Sequence, residues 1–466
     1  MKRLSILASL SLMMLGMACS EDPIVDVTDP NNTALVELQG DLTTRTLTAD
    51  KKYLIVGQTF VRSGQVLTVE PGTVIYGNKR TRGTLIIDRG GKMMAQGTVE
   101  KPIVMTSDQE AGIRDRGDWG GLVILGNAQT NQVNPNVEGI DPPVTFGRND
   151  ATLNDDNSGV YEFLRVEFAG IELSPNNETN SITMGGVGSG TKMENIMVSF
   201  GGDDGFEWFG GTVNGKNLIS FATWDDDFDV DFGYSGNVQF GLVVRYPGFA
   251  DQSESNAFEC DNGPNDNDVQ PYTTGTFSNF TVVGPIATGN RVSNNNYAHA
   301  IDLRRRTAVT ITNSIFTGFP HGLRMNQPSV FNQYAIAQNG HITNNIIFAP
   351  ANKFRAGTGV DVNAVASYIE ERNTVINREA SAAEHEALGL RQDWFFGTRL
   401  AAQYNSNPNF TNNGGAAASG AKFDMAKFQE PNRTNFFDKS VSFMGAFGAT
   451  DWTNGWTEFD PIDRAY

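Results

Sequence analysis

Residues 195–238 repeat themselves, and the period of this repeat constrains the fold more than any other feature of the chain. When residues 195–216 are shifted by 22 positions, they align with residues 217–238. The matched positions are Asn195 and Asn217, Asp203 and Asp225, Asp204 and Asp226, Phe206 and Phe228, Glu207 and Asp229, and Gly211 and Gly233. A period of about 20 residues built from short apolar runs is typical of the coils of a β-solenoid.

The same shift places carboxylates over carboxylates. Strands in adjacent coils of a solenoid lie about 4.8 Å apart, and like charges that face each other at this distance are destabilising. The repeat therefore predicts a concentration of negative charge on one side of the solenoid. Such a concentration must be neutralised by a partner or used in the function of the protein.

The composition supports many short strands and a strongly acidic surface. The chain contains 50 glycines and 18 prolines, which predicts tight turns between the strands. Its 35 Lys and Arg residues stand against 53 Asp and Glu residues, a net charge of −18. Nucleic acid is excluded as a partner, because phosphate binding requires clusters of Lys and Arg. An acidic surface favours the binding of cations.

The N-terminus predicts export and a lipid anchor. Lys2 and Arg3 precede an apolar run, and Cys19 follows this run. The pattern resembles a bacterial lipoprotein signal peptide of residues 1–18, with Cys19 as the acylated (palmitoylated) residue; an ordinary cleaved signal peptide is the alternative. Residues 20–22, Ser-Glu-Asp, resemble the surface-export signal of Bacteroidota lipoproteins. The resemblance implies an outer-membrane protein that is lipid-anchored and exposed at the cell surface.

Segments over most of residues 53–459 carry a second resemblance. They include "PGTVIYG", "GTLIIDRGGKMMAQGTVEKPIVMTS", "GDWGGLVILGNA", "DDGFEWFGGTV" and "DDDFDVDFGYSGNVQF". These motifs resemble a family of bacterial secreted and outer-membrane proteins with a right-handed parallel β-helix. The resemblance implies an all-β fold, a single-stranded right-handed parallel β-helix with loop insertions, one short helical insertion and a C-terminal cap.

The chain divides into five predicted segments. A signal peptide (1–18) is followed by a lipidated flexible tether (19–50), the β-helix (51–350), a helix-containing insertion (351–395), and the last coils with an aromatic-rich cap (396–466). The helix is predicted because Val362, Val365 and Ile369 recur at helical spacing. The cap is predicted because an open solenoid exposes strand edges and core, and residues 436–459 are rich in Phe and Trp.

One column of charged residues continues the opening repeat. Its members are each preceded by an apolar residue, and they are Glu207, Asp229, Glu259, Asp302 and Arg324. Because neighbours along a strand point to opposite faces, the apolar set is predicted inside and the charged set outside. The candidate metal ligands are Asp203, Asp204, Asp225, Asp226, Asp227, Glu207 and Asp229. The candidate ligand-binding residues are Glu259, Asp302, Arg324, Trp208 and Trp224, the two tryptophans because exposed aromatic faces suit sugar stacking.

Three interpretations of the carboxylates in and beside this column remain open. Closely spaced carboxylates suit Ca²⁺, which takes six to eight oxygen ligands. A carbohydrate-active enzyme, a lyase or a hydrolase, would use Asp225, Asp226 and Asp229 with Arg324. A solvated or arginine-paired acidic face is the third interpretation. We expect a non-enzymatic binding or adhesion role in which a TonB-dependent transporter or surface glycans are the partners.

Overall fold

The computed structural model describes residues 35–174, 177–287, 294–391, 407–412 and 414–466. The predicted signal peptide, Cys19 and the export signal lie outside these described residues. Two strands, Leu35–Leu42 and Arg45–Leu47, lie within the predicted tether of 19–50, so its predicted end is too late. Among the described residues, no helix is both long enough and apolar enough to cross a membrane.

Short strands are the most frequent elements of the described chain. They are β1 (Leu35–Leu42), β2 (Arg45–Leu47), β3 (Lys52–Val61), β4 (Val66–Val69), β5 (Val74–Gly77), β6 (Thr84–Ile87), β7 (Lys92–Gln96), β8 (Ile103–Ser107), β9 (Gly121–Leu125), β10 (Gly159–Glu167), β11 (Ile171–Ser174), β12 (Asn177–Thr179), β13 (Ile182–Gly185), β14 (Lys192–Ser199), β15 (Phe206–Phe209), β16 (Asn214–Phe221), β17 (Phe228–Asp231), β18 (Asn237–Val244), β19 (Phe258–Cys260), β20 (Thr276–Val283), β21 (His299–Leu303), β22 (Thr310–Thr312), β23 (Ile315–Thr317), β24 (His321–Met325), β25 (His341–Thr343), β26 (Ile346–Phe348), β27 (Asn352–Ala356) and β28 (Thr374–Ile376).

Helices are few and short. They are α1 (Pro328–Ala335), α2 (Val362–Glu370), α3 (Ala382–Leu388) and α4 (Pro431–Thr434), with 3-10 turns at Ala151–Leu153, Ala416–Ala418 and Ala426–Gln429. The helix predicted in 351–395 is present as α2, and α3 follows it. The predicted bounds are wrong, because β27 and β28 of this range pair with β24 and β26 and continue the β-helix beyond residue 350. Helix α1, which follows β24, was not predicted.

The strands wind into a parallel β-helix with three sheets, as the sequence predicts. Sheet A contains β2, β4, β7, the first halves of β10, β14, β16, β18 and β20, and then β22 and β25. Sheet B contains the first halves of β1 and β3, then β5 and β8, the second halves of β10, β14, β16, β18 and β20, and finally β23, β26 and β28. Sheet C contains the second halves of β1 and β3, and β6, β9, β13, β15, β17, β19, β21, β24 and β27.

Asparagines recur at the corner between sheets A and B. Residues at this corner have a left-handed backbone, and asparagine tolerates that conformation better than most residues. The corner positions are Phe163, Asn195, Asn217, Phe240, Asn279, Asn313 and Asn344, with φ between 46° and 65°. The side chain of Asn217 donates to that of Asn195 at 2.8 Å, so the corner is also joined from coil to coil.

The core runs as one column inside the three sheets. Phe206, Phe228 and Phe258 are fully buried there, and the rings of Phe206 and Phe228 stack at 5.5 Å. At the C-terminal end of this core, Val365 and Ile369 of α2 are fully buried against it. Helix α2 therefore covers the last coils, a role that the sequence assigned to the aromatic-rich segment.

The described residues of 407–466, named the strap, form no further coils, so the predicted last coils are wrong for these residues. The strap runs back along the outside of sheet B. Gly445 donates to the carbonyl of Asn313, whereas the hydroxyl of Tyr466 reaches Glu167 near the other end of the solenoid. A second apolar layer lies between strap and sheet, and it includes Met197, Phe200, Ile219, Phe221, Leu242, Val244, Met444, Phe447, Trp456 and Phe459.

Candidate metal centre

The charged column lies on the outer face of sheet C in the register that the sequence predicts. Glu207 pairs with Asp229, Asp229 with Glu259, Glu259 with Asp302, and Asp302 with Arg324. The structure adds one more member, because Arg324 pairs with Arg355. The apolar residues that precede the five predicted members are fully buried in the core. The outer face of sheet C thus changes from acidic to basic along the solenoid.

A second polar column marks the turn from sheet B into sheet C. It occupies the position two residues before the first core residue of each coil, and its members are Asp204, Asp226, Asn256, His299, His321 and Asn352. Asp204 Oδ1 accepts the backbone N–H of Asp226 at 2.9 Å, and Asp226 Oδ1 accepts that of Asn256. Asn256 Oδ1 accepts the N–H of His299 at 3.0 Å. Side-chain oxygens in this column therefore join successive coils.

The two columns meet in a pocket of about 180 Å³. Ten of its thirteen lining residues carry a carboxylate, and one carries a guanidinium. The lining residues are Glu138, Glu178, Asn180, Asp203, Asp204, Glu207, Asp225, Asp226, Asp229, Ser253, Glu254, Glu259 and Arg304. The chain has built a small cavity with a large excess of negative charge.

Three overlapping groups of carboxylates have the spacing of metal ligands. The groups are Asp203, Asp204 and Asp225; Asp204, Glu207 and Asp229; and Asp226, Asp229 and Glu259. Within each group, one oxygen per residue lies within 4.8 Å of the others. Two oxygens on one Ca²⁺ at 2.3–2.6 Å are separated by at most about 5 Å. The spacing therefore fits a hard cation, and Asp204 and Asp229 belong to two groups each.

Three of these seven carboxylates are buried, and the other four are partly buried. The exposed fraction is 7% for Asp204, 4% for Asp226 and 8% for Glu207. A carboxylate that leaves water needs hydrogen bonds or an opposite charge. Some of this compensation is present, because Asn180 donates to Glu207, and Ser253 and Ser255 donate to the two oxygens of Asp225 at 3.0 and 3.1 Å. The interpretation of a solvated acidic face is therefore wrong for the buried members.

One carboxylate oxygen of the pocket has no such compensation. Asp229 Oδ1 is buried and has no hydrogen-bond partner in the described part of the chain. Asp229 is also common to two of the three groups of metal-ligand spacing. A buried oxygen without a donor is costly unless a cation or a proton satisfies it. Asp229 is the residue that most directly indicates a missing positive charge.

Burial and mutual repulsion disfavour the charged state throughout the pocket. Burial raises the pKa of Asp225 and of Asp229 to about 7. Burial, followed by repulsion from neighbouring carboxylates, raises the pKa values of Asp203, Asp204 and Glu207 well above the usual range. The pocket at neutral pH must therefore be partly protonated or hold cations. A bound cation would lower these pKa values, because it favours the charged form.

Asp227 does not belong to the metal centre, although the sequence grouped it with the other ligands. It is fully buried on the other side of the turn, where Oδ1 lies 3.1 Å from Nη1 of the buried Arg245. Ser220 also donates to Asp227 at 2.6 Å. The alternation of the backbone explains the error, because Asp226 and Asp227 point to opposite sides. Asp227 stabilises the turn as half of a buried ion pair.

The two tryptophans offer no open face for a sugar. Trp208 points into the core, where its ring packs against those of Phe206 and Phe228. Trp224 is partly buried, but the guanidinium of Arg116 covers its ring at 3.6 Å, and Phe249 packs on it as well. The predicted stacking role of Trp208 and Trp224 is therefore wrong.

The remaining candidates divide between the pocket and an ion-pair network. Glu259 lines the pocket and forms an ion pair with Arg304. Asp302 is fully buried and holds Arg324 through two hydrogen bonds of 2.8 and 2.5 Å. Neither Asp302 nor Arg324 lines the pocket. Of the alternative catalytic set, the structure brings together Asp225, Asp226 and Asp229 in the pocket but leaves Arg324 beside it.

Sequence reasoning missed the residues that close the pocket from outside. Glu138 comes from the loop between β9 and β10, Glu178 from the hairpin of β11 and β12, and Glu254 from the loop between β18 and β19. None of them belongs to the repeat. Asn180 stands two residues before Ile182, which pairs with Phe206, so it holds the position of Asp204 in the preceding coil at an offset of 24 residues.

The fold and the pocket together define a parallel β-helix protein with an acidic centre on one sheet. Residues 40–397 match the family model described as a pectate-lyase like beta helix domain. Because this match covers more than half of the chain, the protein belongs to that family. No curated protein and no solved structure gives a significant match to the chain.

Proposed function

We propose that this protein is a non-enzymatic binding protein whose β-helix holds Ca²⁺ in the acidic pocket. The observation that carries the proposal is the set of three overlapping carboxylate groups with oxygens within 4.8 Å. Calcium takes six to eight oxygen ligands in flexible geometry, and it tolerates shared carboxylates. The pocket offers oxygens alone, without histidine or cysteine among its lining residues. Bound Ca²⁺ would supply positive charge to carboxylates that the fold has removed from water.

Calcium binding is tested by stability and by calorimetry. A ligand that binds only the folded state stabilises it by about 2.7 kcal/mol at 100 times its Kd. We expect the Tm of residues 20–466 to rise with Ca²⁺ and to fall in a chelator. The variant Asp225→Ala/Asp229→Ala should lose this response. If the Tm of the wild type is the same in Ca²⁺ and in chelator, the cation proposal fails.

We further propose that the protein acts at the cell surface as an outer-membrane lipoprotein, beside a TonB-dependent transporter in nutrient capture or on surface glycans. The support is the signal-like N-terminus with Cys19. The test is a pull-down from detergent-solubilised outer membranes, with Cys19→Ala as the control for the anchor. Recovery of no integral membrane protein counts against the transporter, and labelling of Cys19 with a palmitate analogue tests the anchor.

A carbohydrate-active enzyme is the second candidate, favoured by the family to which the β-helix belongs. Asp225, Asp226 and Asp229 would then hold the cation or transfer a proton. The arginine of the pocket is Arg304, which is engaged by Glu259 and Asp261. Incubation with acidic and neutral polysaccharides separates the candidates: a lyase produces new ultraviolet absorbance, and a hydrolase produces reducing ends. If the wild type forms either product and Asp229→Asn does not, the enzyme proposal replaces the binding proposal.

A further inference from the structure

Beside the acidic pocket, two arginines of the charged column hold a glutamate that comes from a loop. Arg324 uses Nε and Nη2 for the buried Asp302, and its Nη1 donates to Glu254 Oε2 at 2.9 Å. In the next coil, Arg355 Nη1 lies 3.6 Å from Glu254 Oε1. Two adjacent coils therefore present guanidinium groups to one carboxylate.

The pairing with Asp302 differs in strength from the pairing with Glu254. Asp302 is fully buried, so its ion pair with Arg324 fixes the position of that guanidinium. The side chains of Glu254 and Arg355 are each 38% exposed. Exposed ion pairs contribute little to stability, because water and salt compete for both charges. Glu254 is thus a replaceable partner of two arginines, one of which is held rigidly.

Arg355 has donors left over. Its Nη1 also lies 3.3 Å from His299 Nε2, and in the described part of the chain no partner accepts from its Nε or Nη2. A guanidinium presents its donors as a planar fork that matches carboxylate, sulfate and phosphate oxygens. His321, which lies beside this arginine, has a buried Nδ1 without a hydrogen-bond partner among the described residues.

Glu254 is placed to connect the two sites. Its loop is fastened to the pocket by Ser253 and Ser255, which donate to Asp225. Glu254 itself lines the acidic pocket and has a left-handed backbone with φ of +89°, which L residues rarely adopt. The loop therefore holds this carboxylate between the acidic pocket and the two arginines.

We propose that Arg324 and Arg355 form an oxyanion-binding site that Glu254 occupies as an internal ligand. The external ligand is a carboxylate, sulfate or phosphate group, which displaces the Glu254 side chain and takes its place between the two guanidinium groups. The two arginines do not line the acidic pocket, and Glu254 is the residue that the two sites share.

The test uses inorganic sulfate, acetate and phosphate, each titrated calorimetrically at constant ionic strength in chelator. Glu254→Gln removes the charge of the internal ligand and keeps its size. Because an exposed ion pair no longer has to be broken, we expect the best of the three anions to bind about fivefold more tightly to this variant than to the wild type. The anion that binds best identifies the chemistry of the ligand.

Two further variants make the result specific. Glu254→Gln/Arg355→Gln should lose the tightened binding. Glu371→Gln is the matched control, since Glu371 is also an exposed glutamate paired with an arginine, Arg372, at 3.0 Å; it should bind anions as the wild type does. Equal anion affinity in the wild type and in Glu254→Gln, or unchanged binding after loss of Arg355, overturns the proposal. Because chelator is present throughout, this outcome is independent of Ca²⁺ binding.

Discussion

Asn256 occupies the position in its coil that Asp204 and Asp226 occupy in theirs. Its amide oxygen accepts the backbone N–H of the next coil at 3.0 Å, as the two carboxylates do. The turn therefore needs an oxygen acceptor at this position, but it does not need a charge. The negative charges of Asp204 and Asp226 require another explanation, and the proposed cation would provide one.

This comparison leads to a prediction for Asp204→Asn/Asp226→Asn. The amide oxygens should preserve the bonds between coils while the pocket loses two charges, so the Kd for Ca²⁺ should rise by at least about tenfold. In chelator the variant should be as stable as the wild type or more stable, because repulsion is relieved. Calorimetry and Tm measurements check both parts. Asp204→Ala, which leaves the N–H of Asp226 without its acceptor, should instead cost about 1–3 kcal/mol.

The pH dependence of stability gives a second prediction at the scale of single residues. The pKa values of Asp225 and Asp229 are raised to about 7, whereas their value in the unfolded chain is close to 3.8. Between these values the folded state binds more protons than the unfolded state, so their contribution to stability falls as the pH rises from 5 to 7. Above pH about 7 this contribution is lost, unless Ca²⁺ replaces the protons.

The measurement is the free energy of unfolding in chelator at pH 5, 6 and 7. The wild type is compared with Asp225→Asn/Asp229→Asn, because His299, His321 and His341, whose pKa values are lowered by burial, add a slope of opposite sign to both proteins. We expect the stability of the wild type relative to the variant to decrease over this range. A relative stability that stays constant would mean that the two aspartates are ionised at pH 5.

Individual residues of the candidate site were predictable where the repeat determines their position. The register of Glu207, Asp229 and Glu259 follows from the period and from alternation along a strand. Glu138 and Glu254 come from loops that have no period, so nothing in the sequence places them at the pocket. The burial of Trp208 follows from the same alternation, since it stands two residues after Phe206 on the core side.

Among the elements, α2 was predictable and the strap was not. Helix α2 shows helical spacing of apolar residues, and it is capped by Asp361, whose side chain accepts the N–H of Asn363 at 2.9 Å. The strap docks on strands that lie more than 100 residues away, and its sequence has no period. The strands themselves contain one signal that a further segment covers them. Residues 196–199, 218–221 and 241–244 are almost continuously apolar, which is typical of strands that are covered on both faces.

The strap should contribute strongly to stability through Trp456. This side chain is fully buried, its indole N–H donates to the carbonyl of Trp452 at 2.8 Å, and its ring meets that of Phe163 edge to face. We expect Trp456→Ala to lower the free energy of unfolding by about 3–5 kcal/mol in a denaturant titration. Ile336→Ala is the control, because Ile336 is 72% exposed and should change stability by about 0.5 kcal/mol or less. A loss below about 1 kcal/mol for Trp456→Ala would show that the strap is not tightly docked.

At the scale of the whole molecule, the parallel β-helix was the most predictable property. The period, the turn residues and the family resemblance all indicated it, and each coil depends mainly on its neighbours. The ends were less predictable, because a single helix covers the C-terminal core and the aromatic segment packs along the side. Charge is also arranged at this scale, from the acidic pocket to Arg324 and Arg355 along the same sheet.

The arrangement of the charge predicts that binding at the two arginines is coupled to binding in the acidic pocket. An oxyanion that replaces Glu254 between Arg324 and Arg355 releases a carboxylate that already lines the acidic pocket. We expect the affinity for Ca²⁺ to increase when this anion is saturating, and binding linkage requires the reverse effect to be equal. Calorimetric titration of Ca²⁺ with and without the anion checks this, and Glu254→Gln should abolish the effect.

The strap affects how the whole solenoid is expected to unfold. A solenoid whose coils touch only their neighbours can open from one end, one coil after another. Here one segment reaches the coil of Asn313 through Gly445 and the coils of Glu167 and Lys52 through Tyr466. Opening a terminal coil therefore requires the same segment to leave distant coils as well. We therefore expect the strap to make this one-dimensional array unfold as a single cooperative unit, so that frayed ends are less available to proteases.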